Sequence, residues 1–238
     1  MAGLRLQVFL SRSGAASRRK ALALIFAGRV LVNGRVITEP SFCVHPEEDR
    51  VLLDGRPLAS SPKTYVLFHK PAGVVTTKRD RFAAKTVLDF FTEDLKHLNP
   101  VGRLDKDTTG LLLLTNDGDL AYRLTHPSFD VAKVYRVRLD KALTLADKRT
   151  LEKGIVLDGK RTRPCRIGGA GTAQAEVTLH EGRKRQVRRM FALLGYAVEE
   201  LKRLRQGPLV LGDLKPGSWR RLTSSEIQDL KAAVYDII

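Results

Sequence analysis

Apolar and polar positions change period several times along this chain, and each change marks an element. Leu6, Phe9 and Leu10 share one face of a short helix that stops near Ser13-Gly14. Ser17 then stands as an N-cap for a second helix carrying Leu22, Ile25 and Phe26, with Gly28 at its C-terminal end. Val30-Leu31-Val32 and Val36-Ile37 flank Asn33-Gly34, a pair that accepts the positive φ angles of a type I′ hairpin turn. Val51-Leu52-Leu53, Asp54-Gly55 and Pro57-Leu58 repeat the signal. The first sixty residues therefore predict two helices and a small sheet.

Ala59-Ser60-Ser61-Pro62-Lys63 is polar, short and proline-containing, and reads as a linker between domains at 1–60 and 64–238. Beyond it, Tyr65 to Phe68 predicts a strand that turns at Lys70-Pro71-Ala72-Gly73, and Thr86 to Phe91 predicts a helix. Leu111 to Leu114, bounded by Gly110 and Asn116-Asp117-Gly118, predicts a strand buried on both faces. A helix follows through Leu120 and Leu124 and ends near His126-Pro127. Ala132 to Leu139 alternates as a half-buried strand does. Val134, Arg136 and Arg138 fall on one face, and Lys133, Tyr135, Val137 and Leu139 on the other. Thr144 opens a helix to Gly154, and strands are expected around Asp158-Gly159 and over Ala173 to Leu179. Gly168 to Gly171 lacks the Gly-Lys-Ser/Thr of a P-loop and reads as a turn. Val187, Met190, Phe191 and Leu194 form the apolar stripe of a helix closed by Gly195, with Arg185, Arg188 and Arg189 on the opposite side, facing outward. A last helix opens near Thr223 or Ser224. The whole predicts an α+β chain.

Charge sharpens this picture. The 238 residues carry a formal net charge of +16, an excess that points to a polyanion such as nucleic acid. Arg12, Arg18, Arg19, Lys20, Arg29 and Arg35 concentrate on the first helices and hairpin, where they suit phosphate contact without sequence readout. Cys43 and Cys165 have no partner pattern, so neither a disulfide framework nor a zinc site is expected, and a reducing cytoplasm fits. The basic start already reads as folded structure, and no apolar run is long enough to span a bilayer, so neither a targeting peptide nor membrane insertion is expected.

Candidate chemistry centres on Gly102-Arg103-Leu104-Asp105-Lys106-Asp107-Thr108-Thr109-Gly110. Asp105 sits on a polar loop between two cations and is braced by the leucine strand. Such a carboxylate suits a nucleophile or general base; caps or turns in the loop are the competing reading for Asp105 and Asp107. The unbroken stretch from Gly102 to Gly118 resembles the catalytic motif of the ribosomal pseudouridine synthases, the branch that modifies single uridines in 16S or 23S rRNA. In that family the aspartate matching Asp105 is catalytic. Lys70-Pro-x-Gly resembles the family's first motif. Lys133-x-Tyr135 resembles the motif whose tyrosine lies against the target base, and Glu181-Gly-x-x-Arg-Gln-Val-Arg-Arg-Met resembles its last motif. The resemblance implies that an arginine, matched to Arg188 with Arg185 as the other choice, pairs with Asp105. It also implies that Arg103 fills the gap left by a flipped base. Ser13-Gly-x-Ala-Ser-Arg-Arg through Asn33-Gly-Arg-Val resembles the RNA-binding module of the ribosomal-protein-S-four type, over roughly residues 4 to 50. Lys20 departs from it where an acidic residue is common.

Taken together, these resemblances imply a small αα-plus-hairpin RNA-binding module followed by a mixed, mostly antiparallel synthase sheet with flanking helices. The implied reaction is site-specific isomerisation of uridine to pseudouridine in rRNA, with 23S preferred over 16S. It adds no group and changes no oxidation state, so no cofactor and no metal is expected. The expected partner is rRNA or a ribosomal assembly intermediate, and the expected state is a monomer. Asp105, Tyr135 and Arg188 are the expected catalytic set. RNA contacts are expected from Arg103, Lys133, Arg185 and the N-terminal cations. The competing class is a non-catalytic ribosome-assembly factor with the same fold. A methyltransferase would need a glycine-rich cofactor loop between strand and helix, which the chain lacks.

Overall fold

The computed structural model describes residues 3–58, 62–78 and 84–235; the first part of the expected linker, Ala59 to Ser61, lies outside them. The chain divides into two compact units, Met1–Thr64 with Asn116–Gly118, and Tyr65–Thr115 with Asp119–Ile238.

The first unit runs β1 (Leu4–Arg5), α1 (Leu6–Arg12), α2 (Arg18–Phe26), β2 (Val30–Val32), β3 (Arg35–Val36), β4 (Cys43–Val44), β5 (Val51–Leu53) and β6 (Arg56–Leu58). Strands β3-β2-β5-β6 form one antiparallel sheet, and β1 pairs with β4. The turn signals act as their chemistry predicts: Asn33 and Gly34 have φ of 50° and 81°, and Asp54 and Gly55 have 52° and 77°. The Ser17 hydroxyl accepts the Lys20 amide and caps α2. Leu6, Phe9 and Leu10 of α1 and Ala21 and Ile25 of α2 close over Val30, Val32 and Val51 to form the core.

The second unit contains β7 (Tyr65–Lys70), β8 (Asn99–Pro100), β9 (Thr109–Thr115), α3 (Gly118–Thr125), β10 (Lys133–Leu139), α4 (Leu145–Glu152), β11 (Val156–Leu157), β12 (Lys160–Arg161), β13 (Arg166–Gly168), β14 (Gln174–Leu179), α5 (Gln186–Ala192), β15 (Val198–Gln206), β16 (Leu209–Val210), β17 (Trp219–Arg221) and α6 (Ser224–Tyr235). Its main sheet has the order β13-β14-β10-β15-β9-β7-β17, with β8 and β16 attached to β9 and β15. Among the described strands of this sheet only the β9–β15 pair is parallel, so the sheet is mixed and mostly antiparallel, as expected. The leucine run is β9, and alternation divides it between two cores. Leu111 and Leu113 pack toward α3 and α6, while Leu112 and Leu114 pack against Val74, Val87 and Phe91. All four are fully buried, each contributing about 1.5–3 kcal/mol. The helix expected over Thr86 to Phe91 is instead a single 3-10 turn, Val87–Phe90. The Asp89 carboxylate closes on the Thr86 amide at 2.7 Å, and Phe90 and Phe91 both turn onto Phe68, with ring centroids at 5.3 and 5.2 Å. This packing pulls the chain out of helical geometry after one turn. Among the described residues no helix is long and apolar enough to cross a membrane.

Candidate active site

Asp105 lies between the buried Leu104 and a tight turn in which the Thr108 amide donates to the Asp105 carbonyl at 3.0 Å. The loop is gripped from several directions. The Thr76 hydroxyl donates to the Leu104 carbonyl at 2.8 Å and accepts the Leu104 amide at 3.2 Å. The Gly73 amide donates to the Lys106 carbonyl at 2.9 Å. Beneath the turn lies Lys70, fully buried at the end of β7. Its Nζ donates to the carbonyls of Pro71, Lys106 and Thr108 at 3.0, 3.0 and 2.8 Å. Burial pushes the Lys70 ammonium down to about 8, while the nearby Asp107 and Asp105 carboxylates pull it back up. An ammonium has three donors, and here all three are spent on the backbone around Asp105.

The other edge of the loop depends on a glycine. Gly110 adopts φ of +106°, and a Cβ there would lie 2.2 Å from the Arg203 carbonyl oxygen of β15. Only a bare backbone allows β9 and β15 to pair side by side at Thr109 and Gly110.

Asp105, Arg103 and Tyr135 line one pocket of about 670 Å³, together with Arg183, Lys184 and Arg185. That volume lies within the range of small-molecule sites. Tyr135 reaches the pocket from β10, where the ladder with β15 shifts register between Val134 and Tyr135, and its ring packs against the cores on both sides. The stretch from Glu181 to Gln186 forms the opposite wall and is tied down by side chains. Glu181 Oε1 accepts the Arg163 amide at 3.0 Å and Gln186 Nε2 at 2.7 Å, while Arg183 donates to the carbonyls of Lys160 and Arg161 at 2.8 and 2.6 Å. Arg185 precedes α5 with φ of +51°. Among the described residues it is the one positive-φ position that is neither Gly, Asn nor Asp. An arginine held there costs on the order of 1–3 kcal/mol, and such strain clusters at working sites. The side chain of Arg185 is exposed, and Asp105 is half-buried and makes no ion pair among the described residues.

The expected Arg188–Asp105 pair does not form. Arg188 Nη1 donates to the Val198 carbonyl at 2.6 Å and Nη2 to the Asp107 carbonyl at 3.4 Å, while Nε is buried without a partner. With α5 seated by Val187, Met190 and Phe191, the guanidinium meets strand-end and loop carbonyls rather than the carboxylate. Arg188 thus holds the Asp105 loop through its backbone. The outward-facing triple of guanidiniums also needs correction: Arg188 and Arg189 are half-buried, and Arg189 pairs with Asp158 at 2.5 Å, which leaves Arg185 as the exposed one.

The remaining sequence candidates divide. Lys133 is half-buried, donates to the Val131 carbonyl at 3.0 Å and does not line the pocket; burial, with Arg203 nearby, lowers its ammonium to about 8. Arg18, Arg19 and Lys20 are exposed in the first turn of α2, and Arg12 is half-buried. Arg29 is exposed but held by Asp54, with Nε–Oδ1 at 2.7 Å and Nη2–Oδ2 at 2.5 Å. Sequence reasoning saw Lys70 only as part of a turn motif. A lysine directly before proline at the end of a strand that opens on four apolar residues was the available signal for a buried one.

Comparison with known proteins places most of the chain. Residues 64–193 match the family model described as RNA pseudouridylate synthase, and residues 4–51 match the S4 domain. The chain is 40% identical to an uncharacterized RNA pseudouridine synthase of Aquifex aeolicus, covering 98% of this chain and 96% of the relative. It is 40% identical to the ribosomal large subunit pseudouridine synthase B of Bacillus subtilis, covering 96% of each. A crystal structure of a pseudouridylate synthase superposes with a TM-score of 0.70 at 34% identity, over 95% of this chain and 99% of that one. The chain belongs to the RNA pseudouridylate synthase family and carries an N-terminal S4 domain.

Proposed function

We propose that this protein isomerises uridine to pseudouridine at specific positions of ribosomal RNA, in 23S rRNA. Asp105 begins the chemistry, Tyr135 holds the base, and Arg188 steadies the loop. The observation that carries this reading is Asp105 itself, a carboxylate without an ion-pair partner among the described residues, on a backbone-clamped loop and in a pocket shared with Tyr135 and several cations. The Bacillus subtilis relative, named for the large subunit, supports the choice of 23S.

The reaction breaks the bond from ribose to ring nitrogen, turns the base and rejoins it through carbon 5. Carbon 5 loses its proton and the released nitrogen regains one, so no group is added and no electrons are exchanged. Asp105 is placed to act on the nucleoside while the loop stays still, which is where proximity is most effective. The Tyr135 phenol supplies a face for stacking on uracil and a hydroxyl for hydrogen bonding. The target base must leave its stack, at a cost of a few kcal/mol. Arg103, exposed at the pocket, fills the vacated space with a planar guanidinium. Arg185 and Lys184 take neighbouring phosphates. In this reading the division of labour follows the sequence: residues 1–60 bind RNA and raise the effective concentration of the target, and residues 64–238 carry catalysis. The protein works as a cytoplasmic monomer on rRNA or an assembly intermediate.

The test is tritium release from 23S and 16S rRNA labelled at carbon 5 of uridine, with wild type and Asp105→Ala. Release from 23S by the wild type alone is expected. Release by both proteins would remove Asp105 from its role. No release from naked or partly assembled rRNA, with binding intact, would favour the assembly-factor class.

A further inference from the structure

An exposed aromatic pair stands beside the pocket and has no part in the chemistry above. Tyr122 and His126 are one helical turn apart on and just after α3, so they share a face with Thr125. Thr125 lines the pocket. Its hydroxyl turns back onto the helix, donating to the Ala121 carbonyl at 2.7 Å, and its Cγ2 lies 3.4 Å from where a Cβ on Gly102 would sit. The face that carries Tyr122 and His126 is therefore continuous with the pocket wall, three residues from Asp105 along the loop.

The two rings lie with centroids 4.9 Å apart and planes tilted by 35°. Tyr122 is 54% exposed, unusual for an aromatic ring. The pair is also rigid. The His126 Nδ1 lies 2.7 Å from the Ser128 hydroxyl and accepts the Ser128 amide at 3.3 Å. Phe129 meets Tyr122 edge-on at 5.8 Å, and the Arg123 guanidinium covers Phe129 at 5.0 Å. Fold stability does not require a tyrosine ring displayed in solvent on a fixed backing. A rigid π surface beside a cation-lined pocket suits an unpaired nucleobase, whose face stacks on the ring while its phosphates meet the cations.

We propose that Tyr122, backed by His126, is a stacking platform for an unpaired base of the substrate RNA close to the target uridine. It is a second base site, distinct from the one that holds the target. This rests on the RNA substrate of the proposed function. The site selects targets whose neighbouring nucleotide is free to unstack, and it acts on binding rather than on bond-making.

The experiment uses the full chain and a labelled 23S rRNA transcript. Tyr122→Ala and His126→Ala are compared with Tyr122→Phe for tritium release and for filter binding. A separate arm irradiates wild type with transcript containing 4-thiouridine and maps the crosslinked peptide and nucleotide. Tyr122→Ala is expected to raise KM and Kd about tenfold with kcat within twofold. Tyr122→Phe retains wild-type values, and the crosslink joins the Tyr122 peptide to a nucleotide within a few positions of the new pseudouridine. KM and Kd unchanged within twofold in Tyr122→Ala would overturn the proposal. A fall in kcat alone would overturn it as well. If wild type releases no tritium, the proposed function fails by itself, and filter binding of the same variants still decides the platform.

Discussion

The loop around Asp105 and the first turn of α2 are both polar segments next to a helix or strand, yet they are built on opposite terms. Around Asp105, Lys70 and Thr76 spend buried polar groups on backbone carbonyls and amides, and Gly110 lets β15 approach where any side chain would collide. At the start of α2, Arg18, Arg19 and Lys20 are exposed, with no acidic residue in that turn. Three cations at a helix N-terminus oppose the helix dipole, so local stability does not explain them. The comparison teaches that positioning a reacting group takes buried, directional bonds, whereas attracting a polyanion takes only charge left free in solvent. Changes in the first region should move rate and stability, and changes in the second should move affinity and its salt dependence.

The largest effect should come from Gly110→Ala. The added methyl meets the Arg203 carbonyl at a positive φ, so we expect a loss of about 3 kcal/mol, read from denaturant unfolding and accompanied by loss of tritium release. Next, Lys70→Met keeps the bulk but removes the ammonium from three carbonyls, of which that of Lys106 keeps only the Gly73 amide, and kcat should fall about a hundredfold from misplacement of the loop. A pH profile sharpens this. The native Lys70 gives up its proton as pH rises through about 8, below the ordinary lysine value of 10.5. The clamp then loses one donor, so wild-type kcat should decline above pH 8. Burial of this cation weighs against folding fully below pH 8, and that cost fades between 8 and 10.5, so its contribution to stability rises while activity falls. Lys133, also lowered to about 8, is the control: Lys133→Met should keep the alkaline decline, and Lys70→Met should lack it.

In the N-terminal unit, replacing Arg18, Arg19 and Lys20 together by alanine should leave kcat at saturation and the melting temperature within error of wild type. RNA affinity should fall at least tenfold, and the slope of log affinity against log salt should become shallower by about 2 to 3. The smallest effect should be that of Arg29→Ala, because Asp54 already holds that guanidinium through a two-bond carboxylate contact. Affinity should change less than twofold; a loss as large as that of the triple replacement would erase the distinction between free and paired cations.

Much of the architecture was legible because its causes are local. Asn33-Gly34 and Asp54-Gly55 turn the chain through positive φ, Ser17 and Thr144 cap helices with their own hydroxyls, and alternation in β10 puts Tyr135 and Val137 on one face. The order of motifs around Asp105 belongs to the same short-range class, and so does the mixed α+β pattern. The sequence alone determined most of the turns and caps, the motif that singles out Asp105 as the candidate, and the excess of positive charge. Tertiary structure decided what depends on distant parts of the chain meeting. Lys70 is a buried clamp only because Lys106 and Thr108 come to lie over it. Arg188 serves carbonyls because α5 docks beside Val198 and Asp107. Thr86 to Phe91 shortens to one 3-10 turn because Phe68 draws in two neighbouring rings. A side chain's partners are set by the geometry of packing, and spacing along one strand or helix does not contain that geometry.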